Sequence, residues 1–332
     1  MNRVRVVLPS ILLAVAPAAG ALESSYLHHL ATSTGVIPFA GPSLAADPVN
    51  KEVYVVWEGE VRIFGPSGME VYSFGDDGRL GTPIAVAPTE TGDILVLGVS
   101  GGKIHITRCD FRGQTVDEFQ PHGFPEGFGI MPDRIGYAKG KVYLLSSPSM
   151  KLLVTDLQGA YVASFDLKKL SGGGGGSRSG APKSAEKTRP LPPGLGDRPR
   201  DDGGVDGFNV DPDGYVLFTM KPRFRAYVLS PDGQIDSFGR AGGAPGKFNV
   251  VGGITRDPAG NIYVTDLLKS AVIVFNSKFE FLHEFGYRGT TPGSLITPAT
   301  VVFVDGRVYV GQIVPAGVVV FRITDGEKHV QQ

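Results

Sequence analysis

The chain has 332 residues with 47 Gly, 25 Pro, 20% charged residues and a formal net charge of −1. Abundant turn formers beside an ordinary charge content suit an all-β chain, and the lack of a basic excess argues against a general nucleic-acid or anionic-membrane binder. A single cysteine, Cys109, excludes an internal disulfide, a Cys-x-x-Cys-His haem attachment and a cysteine-built zinc site.

In chain order, Arg3 and Arg5 precede an apolar stretch from Val6 to Ala16 and the small residues Ala18-Ala19-Gly20-Ala21. A positive start, a short apolar core and small residues before a cut predict a signal peptide over residues 1–21. The competing reading is a membrane anchor, but Pro9 and Pro17 bracket a stretch too short to span a bilayer comfortably. The expectation is an exported protein, periplasmic or extracellular, with no stable membrane span after processing and a mature charge of about −3. Next, Tyr26-Leu27-His28-His29-Leu30 is similar to Phe281-Leu282-His283-Glu284-Phe285 far along the chain. Residues 25–31 are therefore predicted to supply the outer strand of the last repeat unit, pairing its bare edge.

Six apolar runs mark the second strand of each unit: Val53-Tyr54-Val55, Ile94-Leu95-Val96, Val142-Tyr143-Leu144, Val216-Leu217-Phe218, Ile262-Tyr263-Val264 and Val308-Tyr309-Val310. The turn positions before them, Lys51, Gly92, Gly140, Gly214, Gly260 and Gly306, are separated by 41, 48, 74, 46 and 46 residues. Cys109, at a strand end, reads as a structural thiol. The long interval places a surplus of about 28 residues between units three and four, where 171–204 holds five consecutive glycines, mixed charges and Pro190-Leu191-Pro192-Pro193. Such a segment is expected to be disordered, either a tolerated surface insertion or a partner-binding arm.

The later units repeat most clearly. Asp211-Pro212-Asp213-Gly214 before Tyr215-Val216-Leu217-Phe218 is echoed by Asp257-Pro258-Ala259-Gly260 before Asn261-Ile262-Tyr263-Val264, and by Val304-Asp305-Gly306 before Arg307-Val308-Tyr309-Val310. Each unit reads as a hairpin-rich four-stranded antiparallel sheet that gains stability by radial stacking. One domain over 22–332 is predicted, a six-bladed β-propeller. The run Gly253 to Asp266, followed by Phe285-Gly286 and Pro292-Gly293, resembles an NHL repeat, the blade of six-bladed NHL propellers. The Asn and Arg that this family often carries between its second and third strands are replaced by Lys269-Ser270-Ala271.

Chemistry is sparse. His28, His29 and His283 fall on outer strands, His105 on a third strand and His329 in a polar tail, leaving only His122 in a blade-connecting loop. Propellers similar to the NHL family include amidating lyases and lactonase-like hydrolases with metal ligands from several blades, but no matching set is seen here. No catalytic residue, metal site or cofactor is assigned, and a metal-dependent hydrolase or lyase stands as the alternative. Inner-strand polar residues Asp133, Arg134, Asp206 and Asn209 could form a ring at the channel mouth for a ligand, or satisfy loop backbone groups; Arg256 is a further polar residue in unit five. Arg223 and Arg225, in Lys221-Pro222-Arg223-Phe224-Arg225, suit either an interface with an acidic partner or an ordinary solvated turn. Gly239 to Gly246 reads as a blade connection, since the helix of a phosphate loop is missing. The resemblance implies a protein- or ligand-binding scaffold, with an exported electron-transfer assembly as one partner; NHL domains of some cytoplasmic regulators bind RNA, but expected export and a slightly acidic balance argue against nucleic acid here.

Overall fold

A computed structural model describes residues 22–172, 203–289 and 291–325; the expected signal segment 1–21 and positions 173–202 of the expected insertion lie outside them. The chain opens with β1 (Leu22–His29) and a short ladder between β2 (Ala31–Thr32) and β3 (Gly35–Val36). Blade one is β4 (Ser43–Asp47), β5 (Glu52–Trp57), β6 (Glu60–Phe64) and β7 (Glu70–Phe74). Blade two is β8 (Thr82–Pro88), β9 (Ile94–Ser100), β10 (Lys103–Cys109) and β11 (Thr115–Phe119). Blade three is β12 (Arg134–Ala138), β13 (Lys141–Ser146), β14 (Lys151–Asp156) and β15 (Tyr161–Asp166), followed by a short helix α1 (Leu167–Gly172). Blade four is β16 (Phe208–Val210), β17 (Val216–Met220), β18 (Arg225–Leu229) and β19 (Ile235–Phe238), with a 3-10 turn Lys221–Arg223 before β18. Blade five is β20 (Val251–Arg256), β21 (Ile262–Asp266), β22 (Ala271–Phe275) and β23 (Phe281–Phe285). Blade six is β24 (Pro298–Val304), β25 (Arg307–Gln312) and β26 (Val318–Asp325), completed by β1. The molecule is thus an all-β, six-bladed propeller of four-stranded antiparallel blades.

The second strands are buried almost throughout because each lies between two neighbouring sheets. Side chains alternate across a strand, so one strand feeds two cores. In β17, Val216 and Phe218 join the core shared with blade three while Leu217 joins the core shared with blade five. The six apolar clusters correspond to the six blade-to-blade interfaces, including the one between blades six and one. A buried Phe or Leu at such a seam contributes roughly 1.5–3 kcal/mol. Cys109 is wholly buried in the interface of blades one and two, and burial pushes its thiol up to about 12, as befits a core residue rather than a nucleophile.

The turns entering the second strands explain the repeated glycine. Lys51, Gly92, Gly140, Gly214, Gly260 and Gly306 all have positive φ, from 59° to 89°, a conformation glycine adopts without a Cβ penalty. In blades one, four and five an aspartate caps the turn: Asp47 accepts the amides of Val49 and Asn50, Asp211 those of Asp213 and Tyr215, and Asp257 that of Asn261. In blade five the buried Tyr263 hydroxyl donates to Asp257 at 2.9 Å. Blade six has Phe303 at the matching position, and the buried Tyr309 hydroxyl has no hydrogen-bond partner among the described residues. Tyr309→Phe is therefore expected to leave thermal stability unchanged or raise it by up to about 1 kcal/mol, whereas Tyr263→Phe costs about 1 kcal/mol, compared by chemical denaturation.

The ring closes where β1 pairs antiparallel with β26, from Leu22 opposite Asp325 to His29 opposite Val319, with an irregularity between Tyr26 and His28. The strand begins three residues before the stretch read from sequence and ends two before it, although the Leu30 amide still bonds Val318 O. Three imidazoles line this seam. His28 packs on the Gly68 turn of blade one, His29 Nδ1 lies 3.0 Å from the Tyr26 hydroxyl, and His283 of blade five lies 3.0 Å from Ser24 Oγ. Burial lowers the pKa of all three; Arg307 adds to this at His28 and His28 itself at His29, while Glu23 and Glu284 oppose it at His283. With folded pKa values below the unfolded value of 6.5, their contribution is present above that pH and declines as pH falls through the folded values. Amide exchange of β1, corrected for intrinsic rates, is expected to accelerate on acidification ahead of β5 or β21. His28→Gln/His29→Gln/His283→Gln should flatten that dependence.

Candidate functional site

Because the strands alternate in direction, the turn between second and third strands and the connection into the next blade fall at the same end of every sheet. At the propeller axis a cavity of about 650 Å³ is walled by inner strands of all six blades, through Ser43, Thr82, Arg134, Phe208, Gly253 and Thr300. The walls approach closely: a Cβ on Gly253 would lie 2.7 Å from the Val301 amide, so a larger residue there forces blades five and six apart. Trp57 and Glu58, from the β5–β6 turn, reach the same mouth and also line an adjoining cleft of about 360 Å³. Glu58 sits at φ 51°, in the left-handed region that a two-residue hairpin turn requires.

Of the six residues singled out from sequence, Arg134 and Asp206 line the mouth. Asp133 accepts the Ser147 amide at 2.7 Å and is bonded by Arg134 Nη1 at 3.2 Å. Asp206 accepts the Lys221 amide at 2.7 Å and pairs with Lys221 Nζ at 2.8 Å. Both carboxylates thus tie the start of an inner strand to the following second-to-third-strand turn. Asn209 lies on β16 opposite Leu217, outside the cavity lining. Arg223 donates to Ser171 O at 2.7 Å, and Arg225 to Ser237 Oγ at 3.0 Å, so neither points into the channel mouth. Arg256 reaches back to Asp211 of blade four at 3.0 Å, with its guanidinium 5.1 Å from the Tyr215 ring centre. His122 forms a backbone bridge with Ala160 of blade three and does not reach the mouth.

Sequence reading missed the most heavily used carboxylate of this face. Asp266, fully buried at the end of β21, accepts the amides of Asn249 and Val250 from the incoming connection and of Leu268 and Lys269 from its own turn. Gln312 does the equivalent in blade six, accepting the Ile296 amide and donating to Ala316 O and Gly317 O. Both close a second strand, and their shared place after Tyr-Val-Thr or Tyr-Val-Gly was the available signal. The basic residues of the turns add a second stitch: Lys151, Arg223 and Lys269 donate to the carbonyls of Gly129, Ser171 and Ala244 in the preceding blade connection. Among the described residues no three His, Cys, Asp or Glu side chains gather as metal ligands.

No protein-family model matches the chain, and no curated protein matches it. Solved structures share its architecture. A catalytically inactive His-to-Ala form of virginiamycin B lyase from Staphylococcus aureus, with quinupristin, is 13% identical over 87% of this chain and 83% of that one, with a TM-score of 0.53. A streptogramin B lyase gives 13% identity, 92% and 98% coverage and a TM-score of 0.54. A structural-genomics protein of unknown function from Bacteroides thetaiotaomicron gives 14%, 92% and 76%, with a TM-score of 0.59. At these identities the likeness extends to the propeller fold alone.

Asp266→Ala would leave four amides at blade five without their acceptor in a site closed to water. It should cost about 3 kcal/mol or more in denaturant unfolding, against about 1 kcal/mol for the half-exposed Asp133→Ala.

Proposed function

We propose that this chain is an exported, NHL-like propeller that works as a binding scaffold for another protein through the face where its loops gather. The observation that carries this reading is the apolar surface placed on loops of that face. Leu268 is 68% exposed, Ile313 49% and Met131 69%, around a mouth whose floor is built from all six blades. Apolar side chains held out on loops whose backbone is already stitched offer a preorganised contact surface to a partner. The six-fold repeat, the Asp-Pro-x-Gly turns and the apolar segment preceding Ala21 support the NHL and export parts of the reading.

A second reading, a lyase or hydrolase acting in the channel, draws on the likeness to the two streptogramin-type lyases. One of them is inactivated by replacing a histidine, and no histidine stands among the described residues lining the mouth here. The binding role is therefore the better supported. A photo-crosslinking residue introduced at Leu268 or Ile313 should yield adducts with another protein in the source cell, while the same residue at the outer-rim position Val116 should not. Adducts from the rim alone would defeat the scaffold reading, and a stoichiometric metal in the purified mature protein would favour the enzymatic one.

A further inference from the structure

Resting on that reading, the geometry points to the class of partner: a protein that presents carboxylates around an apolar side chain, docking on the loop arc of blades four and five. Four bases on this arc, Arg225, Arg240, Lys247 and Arg288, are exposed and have no carboxylate partner among the described residues. The acids beside them are already engaged, Asp206 by Lys221 at 2.8 Å and Glu284 by Lys269 at 3.1 Å. Elsewhere on the surface Lys51 meets Asp305, Arg79 meets Asp77 and Lys139 meets Asp213, while exposed bases without a carboxylate among the described residues, such as Lys103, Arg112 and Lys278, stand singly on separate turns. The arc therefore carries uncompensated positive charge in a chain whose net charge is −1.

The four bases belong to one continuous surface. Phe224 O, next to Arg225, lies against Gly239, next to Arg240. Lys269 donates to Ala244 O and Asp266 holds Asn249, which brackets Lys247 against the β21–β22 turn. Lys269 also pairs with Glu284, whose carbonyl accepts the Tyr287 hydroxyl beside Arg288. Within this arc Leu268 is 68% and Tyr287 59% exposed. Exposed Arg beside Tyr and an aliphatic side chain is the composition of a protein-binding hot spot with a charged rim. Across the mouth the cleft between blades one and two is lined by Glu58, Glu60 and Asp76 against a single base, Arg62, which pairs with Glu60 at 2.6 Å, so its lining keeps a negative balance through Glu58 and Asp76. An acidic protein is drawn to one side of the face and repelled from the other, which fixes its orientation as well as its approach. A uniformly charged nucleic acid gains nothing from Leu268 and meets the acidic cleft wherever it extends across the mouth.

The test is fluorescence anisotropy on the full mature chain. Its probes are a short Glu/Asp peptide carrying Leu and Phe, the same peptide with Ser in their place, its Lys counterpart, and an oligothymidylate of equal charge. The acidic-apolar peptide should bind tightest and lose about tenfold in affinity from low to high salt. The Lys peptide should not bind. Arg225→Glu/Arg240→Glu/Lys247→Glu/Arg288→Glu should abolish binding, and Leu268→Ser/Tyr287→Ser should remove the advantage of the apolar residues. Glu58→Gln/Glu60→Gln/Asp76→Asn should leave it intact or strengthen it, with all variants melting as the parent does. Absent saturable binding, equal binding of the oligothymidylate, or full binding by the quadruple variant would overturn the proposal. Should the peptides fail while crosslinks from Leu268 persist, the docking face stands and its acidic preference falls.

Discussion

The pairing of β1 with β26 is the constraint on which the rest of the molecule depends, because a ring of stacked sheets buries every face only if its first and last members meet. Blade six has three strands from the end of the chain and one from its beginning, so the two ends of the described chain form one sheet. Without that strand the core shared by blades six and one, which includes Leu30, Phe39, Val302 and Tyr309, would lose part of its cover. The seam is also less apolar than the blade interiors. The residues of β1 are half-buried or exposed, and its contacts run through imidazoles and hydroxyls rather than through the fully buried aliphatic side chains of β21 or β22. Local opening draws on regions with little apolar burial, so closure is more readily perturbed than the inner strands of a fold that cannot do without it.

Stacking has a second consequence, which is that recognition is left to the loops. Strands interior to each blade spend both faces on neighbouring cores, and outer strands expose a mixture of polar and single apolar side chains such as Val71, Val116 and Leu282. The connections and second-to-third-strand turns are held rigidly by their own polar groups, through Asp133, Asp206, Asp266 and Gln312 on one side and Lys151, Arg223 and Lys269 on the other. A loop whose backbone amides are already satisfied can hold out a side chain such as Leu268 without collapsing over it. This preorganisation lowers the ordering cost of binding. The same stitching explains why polar residues concentrated near the channel mouth need not be ligands: most of their hydrogen-bonding capacity is consumed within the chain.

The mouth itself is broad, walled by every blade, and mixed in charge. It offers Trp57, Glu58, Arg134 and several hydroxyls, but the described residues do not bring together a base, a nucleophile and an orienting group in hydrogen-bonding contact there. A propeller can host a lyase or a scaffold with equal ease, since the fold supplies only a rigid floor and a set of loops. The loops of blades four and five, where exposed Arg, Lys, Leu and Tyr side chains adjoin, distinguish this chain most clearly from a bare floor.

What the sequence determined by itself was whatever is local or repeated. Each second strand announced itself because a strand sandwiched between two sheets must be apolar on both faces, and each preceding turn because a left-handed residue favours glycine, even where Lys51 takes that place. The clasp was legible because β1 and β23 occupy equivalent outer positions and carry similar residues, His28 or His29 matching His283. Helix α1 was not legible: six residues following Asp166 bear no helical periodicity, and its lead residue is fixed by burial of Leu167 against blades three and four. Tertiary structure alone decided the partners of the polar groups. Asp206 and Asp266 look alike in a sequence, yet one lines the mouth and the other is sealed within a turn, because burial and hydrogen bonding at a ring's centre are set by how neighbouring blades converge and not by any one blade.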